Sequence, residues 1–399
     1  MKIAPSAALV RLKMQNSKKI KIFIIAGEVS GDVLGARIMA EMKDAEFVGI
    51  GGENMTAAGL CSLFPMSDLA VMGVAEVMAH AKTLTRRIAQ AADEVICVRP
   101  DIVLTIDSPG FARSVIKRVR KSSAGRDLIA HGMRFHHVVA PQVWAWGARR
   151  AKKYAKVFDR LYSFFDFEVP YFTKYGLDTV AVGHPIADAI MTRPRCRSAK
   201  AEKNDGEKII TLIPGSRMSE VKRLLPLMRD VAQMMNANGY LGYKFAIPTV
   251  ETTADYIASQ VKSWGVPVEL VPAAARYDLY EKTYMAIAAS GTVSAELAMM
   301  HIPAIIVYRM NPITVWLVRR VIKIRWVSLV NILLKRAVYP EFLGPAATAE
   351  NVMIAFDELV IPSVREKMIS DLRSADVLWR RGDGGAAGQI AAGIRAVVK

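Results

Sequence analysis

Two stretches of this chain join a glycine turn to residues able to hold a phosphate. In K-I-I-T-L-I-P-G-S-R-M-S-E-V, Lys208 to Val221, a β-branched apolar run stops at Pro214-Gly215, and Ser216 and Arg217 lead into a pattern of helical spacing. A strand, a tight turn and a helix start leave amide donors and the positive end of a helix dipole facing an anion. Arg217 adds a planar fork that matches a diphosphate, although an ordinary strand–helix turn with a surface Arg has the same letters. The second stretch, Met285 to Tyr308, sets Ser290-Gly291-Thr292 between an apolar run and a helix that carries Glu296. Gly215, Ser216, Ser290, Gly291 and Thr292 can present amides to phosphate, and Glu296 can accept hydrogen bonds from ribose hydroxyls. That set suits a nucleoside diphosphate.

The first half offers a carboxylate. D-I-V-L-T-I-D ends at Asp107, and Ser108-Pro109-Gly110 follow. Asp107 therefore falls at the carboxyl end of a buried strand, where open α/β sheets place their ligands. It reads as a general base or as a helix N-cap. In A-G-E-V-S-G-D, Gly31 leaves room for a ligand beside the backbone, with Ser30 next to it, while Ser30 or Asp32 can cap the helix that begins there. The spacing is not G-x-G-x-x-G, so no dinucleotide site is read. Trp144 and Trp146, ahead of Arg149, Arg150, Lys152 and Lys153, can stack on a sugar, touch lipid or pack internally. His184, in G-H-P, reads as a loop hydrogen-bonder.

The elements that must position these residues follow from periodicity. Apolar strand-like runs at 22–26, 47–50, 101–107, 136–140, 159–165 and 179–182 alternate with helical patterns, and so do runs at 209–213, 245–248, 268–271, 285–289 and 304–308. Strand–helix alternation of this kind predicts an α/β protein with parallel sheets. The expected plan is a basic extension at 1–19, a Rossmann-like domain at 20–192 and a charged linker at 193–207. A second Rossmann-like domain at 208–346 and C-terminal helices at 347–399, packing back across both, complete it. Two such doubly wound domains facing each other would leave a cleft between the carboxyl ends of their sheets.

Composition narrows the partners. The chain has 399 residues, 52% hydrophobic, and a formal net charge of +17, which favours an acidic partner. Three scattered cysteines, Cys61, Cys97 and Cys196, suggest a reducing compartment and no zinc site. Leu69 to His80 is apolar and precedes Lys82, Arg86 and Arg87; Val307 to Pro340 holds Arg309, Arg319, Arg320, Lys323, Arg325, Lys335 and Arg336 among Trp316, Trp326 and aliphatics. Both suit an anionic membrane surface, or a core helix with a solvated edge. Nothing reads as a transmembrane helix, a signal peptide or a nucleic-acid-binding motif.

The motifs A-G-E-V-S-G-D-V-L-G, A-V-M-G-V-A-E-V, T-I-D-S-P-G-F, P-Q-V-W-A-W, V-G-H-P, P-G-S-R-x-x-E-V, A-S-G-T-V-S-A-E, Y-R-M-N-P and V-S-L-V-N-I-L occur in this order. In that order they resemble lipid-A-disaccharide synthase, from about Ile20 to Leu343. The resemblance implies a GT-B glycosyltransferase that transfers 2,3-diacylglucosamine from its UDP donor to 2,3-diacylglucosamine 1-phosphate. The expected product is the β-1,6-linked disaccharide, with inversion and release of UDP. It carries the family's catalytic aspartate onto Asp107, its essential arginine onto Arg217 and an important polar side chain onto Asn331, and it places Glu296 and the S-G-T loop in the UDP site. It implies no metal and no cofactor, peripheral attachment to the cytoplasmic face of the inner membrane, and leaves a homodimer open. Val330 stands where the family usually has Pro, and Gly344 where it often has Gln. A UDP-sugar 2-epimerase of the same fold, or a lipid-binding homologue with impaired turnover, is the alternative.

Overall fold

The computed structural model describes residues 19–69, 81–145, 147–190, 208–309 and 325–398. Most of the apolar segment expected after Leu69, Trp146, the expected linker at 193–207 and the centre of the basic stretch, residues 310–324, lie outside these. The described chain forms two compact units. The first is built in the main from residues up to Val182 and from Gly382 onward, the second from Gly183–Arg381.

In the first unit the strands are β1 (Ile20–Ala26), β2 (Ala45–Ile50), β3 (Ile102–Ile106), β4 (Arg134–Val138), β5 (Arg160–Ser163) and β6 (Asp178–Ala181). They pair in parallel in the order β2-β1-β3-β4-β5-β6. Helices α1 (Val29–Glu41), α2 (Glu53–Ala57), α3 (Ala81–Val98), α4 (Pro109–Lys121), α5 (Ser123–Ala130), α6 (Ala151–Ala155) and α7 (Val169–Thr173) make the crossovers. Because helices cover both faces, the central strands read as continuous apolar runs rather than alternating ones: all five residues of β3, I-V-L-T-I, are buried. Leu34 and Ile38, one face of α1, are buried, and so is Met42 just beyond it.

The second unit opens with α8 (Ala187–Ile190). It continues through β7 (Lys208–Ile213), α9 (Met218–Ala237), β8 (Tyr243–Thr249), α10 (Glu251–Val261), β9 (Val268–Pro272), α11 (Arg276–Lys282), β10 (Thr283–Ala289), α12 (Thr292–Met299) and β11 (Ala304–Tyr308). Helix α13 (Leu329–Leu334), β12 (Glu341–Leu343), α14 (Ala349–Leu359), α15 (Pro362–Ser374) and α16 (Asp376–Trp379) complete it. The strand order is β12-β11-β10-β7-β8-β9, again parallel throughout. All seven residues of β10 are buried. The α9 stripe expected from spacing, Val221, Leu224, Leu225, Met228, Val231, Ala232 and Met235, lies in the core. Strand β12 has too few residues to announce itself; it exists because Glu341, Phe342 and Leu343 pair with Ile306, Val307 and Tyr308.

Two segments cluster away from the domain their position suggests. Gly183–Ile190, expected within the first domain, belongs to the second unit. The His184 amide donates to the Trp379 carbonyl at 2.7 Å, Gly183 bridges Arg380, and Asp188 lies 3.6 Å from the Arg380 guanidinium. Conversely, α17 (Gly385–Arg395) joins the first unit. Its Ala386, Ala387, Ile390, Ala391 and Ile394 share a core with Leu34, Ile38 and Met39 of α1. Arg395 donates to the Glu41 carbonyl at 2.8 Å and pairs with Asp44 at 2.7 Å.

Three histidines are held neutral by burial. Burial, helped by the nearby Arg160 and Arg134, lowers His136 to about 3; burial, opposed by the Thr105 hydrogen bond and helped by Arg113, lowers His137 to about 3; and burial lowers His184 to about 4. In the unfolded chain each titrates near 6.5. Below that pH the unfolded state binds protons that the folded state refuses, so stability falls as pH falls from about 6.5 toward 4, by roughly 1.4 kcal/mol per unit for each histidine. Asp32, whose carboxyl is held below the usual carboxylate range, acts in the same direction at lower pH, where it must be protonated. A urea midpoint that drops steadily between pH 6.5 and 4.5 is expected; a flat midpoint over that window would contradict neutral buried histidines.

Candidate active site

Each sheet reverses its winding direction at one place, and the expected site residues lie there. In the first sheet the chain passes from β1 outward to β2, then returns to the other side of β1 with β3. The loops after β1 and β3 therefore diverge from adjacent carboxyl ends, the position at which open parallel sheets bind ligands. Ser30 and Gly31 lie in the first turn of α1, directly after the β1 loop; the loop after β3 carries Asp107. In the second sheet β7 runs on to β8 and β9, and β10 returns on the other side of β7. The loop after β7 carries Gly215, Ser216 and Arg217, and the loop after β10 carries Ser290, Gly291 and Thr292.

Asp107 is not a helix N-cap. Ser108 occupies that position of α4, and both residues have positive φ, 53° and 42°. Val139, at the end of neighbouring β4, has φ 81°. Left-handed backbone at three non-glycine residues along one sheet edge costs of order 1–3 kcal/mol each, which marks a segment held for a purpose. The Asp107 amide prolongs the sheet by donating to the Val138 carbonyl at 3.1 Å. Its half-buried carboxylate accepts the Ser108 amide at 2.8 Å, and no ion pair engages it among the described residues. Below it, Thr105 meets His137 at 2.7 Å, and His137 stacks on Phe158 with centroids 4.5 Å apart. Tyr154 packs beside them, its hydroxyl pushed up to about 12 chiefly by burial. Thr105, His137, Phe158 and Tyr154 thus form a largely aromatic layer near Asp107, with Arg113 5.9 Å over the Tyr154 ring.

Close packing positions the facing loop. A Cβ on Gly27 would come within 2.0 Å of the Ser108 hydroxyl oxygen, so the β1 and β3 loops touch only because residue 27 has no side chain. Gly31 serves packing as well: its Cβ would lie 3.3 Å from Ile106 Cγ2, holding the start of α1 against the end of β3. Ser30 is exposed on the first turn of α1. Asp32 caps α2 rather than its own helix, accepting from the amides of Gly52 (2.7 Å), Asn54 (2.9 Å) and Met55 (3.1 Å). Gly27 was passed over in the sequence; the glycine in A-G-E was the signal.

The β7 loop brings free backbone and a guanidinium together at the head of α9. Gly215 has φ 107°, and a Cβ there would meet Glu220 Oε2 at 2.6 Å. Ser216 is exposed, and Arg217, at the N-cap of α9, is 68% exposed and tethered to Glu220 at 3.2 Å. Its guanidinium stands at the positive end of a twenty-residue helix. In the β10 loop, Gly291 and Thr292 are exposed at the start of α12, and the Ser294 hydroxyl donates to the Gly291 carbonyl at 2.8 Å.

Glu296 is engaged rather than free. It is buried one turn into α12, where it accepts from Arg276 Nε at 3.4 Å and from the Tyr277 hydroxyl at 3.3 Å. Arg276 also stacks over the Tyr277 ring at 4.3 Å. This carboxylate braces α11 against α12, and a ribose would share it with those partners. Arg276 and Tyr277 carried no sequence signal, since their relevance depends on where α11 packs.

Asn331, expected among the catalytic residues, has its side chain engaged inside the fold. It is fully buried, and its amide is saturated. Its Nδ2 donates to the Tyr339 carbonyl and to Glu341, both at 2.8 Å, while Oδ1 accepts the Val338 and Tyr339 amides at 2.8 and 2.9 Å. Glu341 in turn accepts from the amides of Val327 and Ser328 and from the Ser328 hydroxyl. Asn331 and Glu341 together staple the chain that enters α13 to the edge strand β12. Val330 is buried beside them, and Gly344 has φ 61°, a conformation that glycine adopts without strain.

The architecture recurs in solved structures. The S. aureus MnaA–UDP co-structure has a TM-score of 0.60 at 14% identity over 94% of this chain and 96% of that one. Acinetobacter baumannii MurG gives 0.59 at 12% over 94% and 99%. Two doubly wound parallel units with glycine loops at their switch points define the GT-B fold. The family model for lipid-A-disaccharide synthetase matches residues 22–378, and the lipid-A-disaccharide synthase of Rhodospirillum centenum is 40% identical over 92% of both chains. That of Paramagnetospirillum magneticum is 38% identical over 85% of this chain and 87% of its own. The chain belongs to the lipid-A-disaccharide synthase family.

The staple separates a structural Asn331 from a catalytic one. Asn331→Ala leaves the Val338 and Tyr339 amides without their acceptor and takes one donor from Glu341, and a loss of about 3 kcal/mol in unfolding free energy is expected. Denaturant titration beside the parent protein checks this. Unchanged stability with lost turnover would return Asn331 to the chemistry.

Proposed function

We propose that the protein transfers a 2,3-diacylglucosamine unit from UDP-2,3-diacylglucosamine to the 6-hydroxyl of 2,3-diacylglucosamine 1-phosphate, with inversion and release of UDP. Family membership supports lipid A disaccharide formation. The observation that carries the residue assignment is the placement of Asp107 at one switch point, and of the Gly215–Arg217 and Ser290–Thr292 loops at the other.

In this reading Asp107 accepts the proton of the acceptor hydroxyl as its oxygen attacks the anomeric carbon. Attack from the side opposite the diphosphate inverts that centre. Arg217 and the amides of Gly215, Ser216, Gly291 and Thr292 stabilise the charge that develops on the departing UDP. Glu296, braced by Arg276 and Tyr277, offers its remaining lone pairs to the ribose. In this reading the leaving group's charge is met by Arg217 and helix amides.

Both substrates are amphiphiles, so the protein is assigned to a membrane surface on its cytoplasmic side. A net charge of +17 supports attraction to anionic lipid. Among the described residues no helix is long and apolar enough to cross a membrane.

The test is UDP release from the donor in detergent, with and without acceptor. Acceptor-dependent release and a disaccharide product are expected. Release without acceptor would replace this reading with an epimerase-like or hydrolytic one, and no release with UDP bound would indicate a homologue without turnover. Asp107→Asn is expected to lower turnover by about 10²–10⁴-fold while UDP affinity holds. Arg217→Ala should lower both.

A further inference from the structure

The chain that follows β2 walls a cavity to which none of the roles above assigns a ligand. It measures about 1400 Å³ and is lined by Val29 at the head of α1, by α2 and by the loop from Gly59 to Ser67. Sites for compact small molecules run to roughly 300–1000 Å³, so this one is larger than a sugar headgroup needs. Leu60, Leu63, Phe64 and Met66 supply much of its wall.

The polar atoms of that wall are bonded to one another. Both Asp32 oxygens are taken by the amides of α2 and by Asn54 Nδ2 at 2.9 Å. The Ser62 hydroxyl donates to the Phe64 carbonyl at 2.8 Å and accepts the Gly51 amide at 3.1 Å. The Thr56 hydroxyl donates to the Gly52 carbonyl at 2.8 Å. Apart from Glu53 and Ser67 at the exposed side, what remains to face a ligand is mostly apolar, which suits a group that makes few hydrogen bonds. The wall is also braced: Arg87 lies 4.5 Å over the Phe64 ring and pairs with Asp68 at 2.6 Å.

Val29, one of the lining residues, is 70% exposed. It stands two positions after Gly27, the residue pressed against Ser108 beside Asp107. We propose that this cavity takes an acyl chain of the acceptor glycolipid, so that the chain anchors in the β2–α2 wall while the sugar reaches Asp107. The inference rests on the transferase reading above, and its test is arranged to fail separately from it.

Ala57→Trp and Cys61→Trp place bulk at exposed lining positions without touching the core. With acceptors of increasing acyl length, the KM for the long-chain acceptor is expected to rise about tenfold in these variants, while short-chain KM and UDP affinity hold. Equal changes for short and long chains, or none, would overturn the proposal. A second measurement needs no turnover. In a Cys97→Ser, Cys196→Ser background, 2,3-diacylglucosamine 1-phosphate should slow maleimide labelling of Cys61, and deacylated glucosamine 1-phosphate should not. Protection without any disaccharide formation would keep the acyl site and remove the transferase reading; turnover without protection would do the reverse.

Discussion

A parallel strand whose two faces are both covered by helices sets the terms for this molecule. Water reaches neither face of the central strands, so those strands must be largely apolar along their length, and parallel neighbours must be joined by crossover connections. Such a sheet grows from its middle. The chain lays strands to one side, then comes back and lays the rest on the other. Where it turns back, two crossovers leave in opposite directions, and the ends of two adjacent strands stay uncovered. The candidate residues occupy those openings: Asp107 with Ser30 and Gly31 in one unit, Arg217 with Ser290 to Thr292 in the other. The site is a consequence of closing a two-sided core.

An opening is useful only if its loops are held, and two devices hold them. One is the absence of a side chain. Gly27 against Ser108 and Gly215 against Glu220 let one backbone approach another more closely than any Cβ would permit. The other is the buried polar clamp. Asp32 holds the start of α2, and Asn331 with Glu341 holds the chain entering α13 against β12. In each clamp the hydrogen-bonding capacity is used inside the protein, which stiffens the loops. Arg217 shows the contrast: tethered at one point to Glu220, it is otherwise open to solvent.

The same division runs through the basic residues. Arg309 donates twice to the Ala347 carbonyl, Arg336 pairs with Asp371, and Arg395 ties α17 to α1. These guanidiniums act as long-reach hydrogen-bond donors inside their own unit. Lys152 and Lys153 on α6 are exposed and contribute to the positive field instead. A high positive charge therefore has two origins here, and only the exposed part bears on an anionic partner.

Much of this was legible in the letters. Runs such as I-K-I-F-I-I-A and I-V-L-T-I can only be buried strands, and the α9 stripe can only be one helix face, because hydrophobic burial acts on each local period regardless of what lies across from it. The glycine turns at 215 and 291 and the strand-end carboxylate at 107 follow from local geometry too, and the ordered motifs carried the family. What the letters left open depended on residues far apart in sequence. Asn331 looked like a reactive side chain until Tyr339 and Glu341 closed around it. Glu296 looked free until α11 delivered Arg276. The last helix joined the first sheet because its Ala and Ile face met that of α1, and Gly27 mattered only once Ser108 arrived opposite. A local period states what a residue must hide; which partner hides it is decided when the strands take their order.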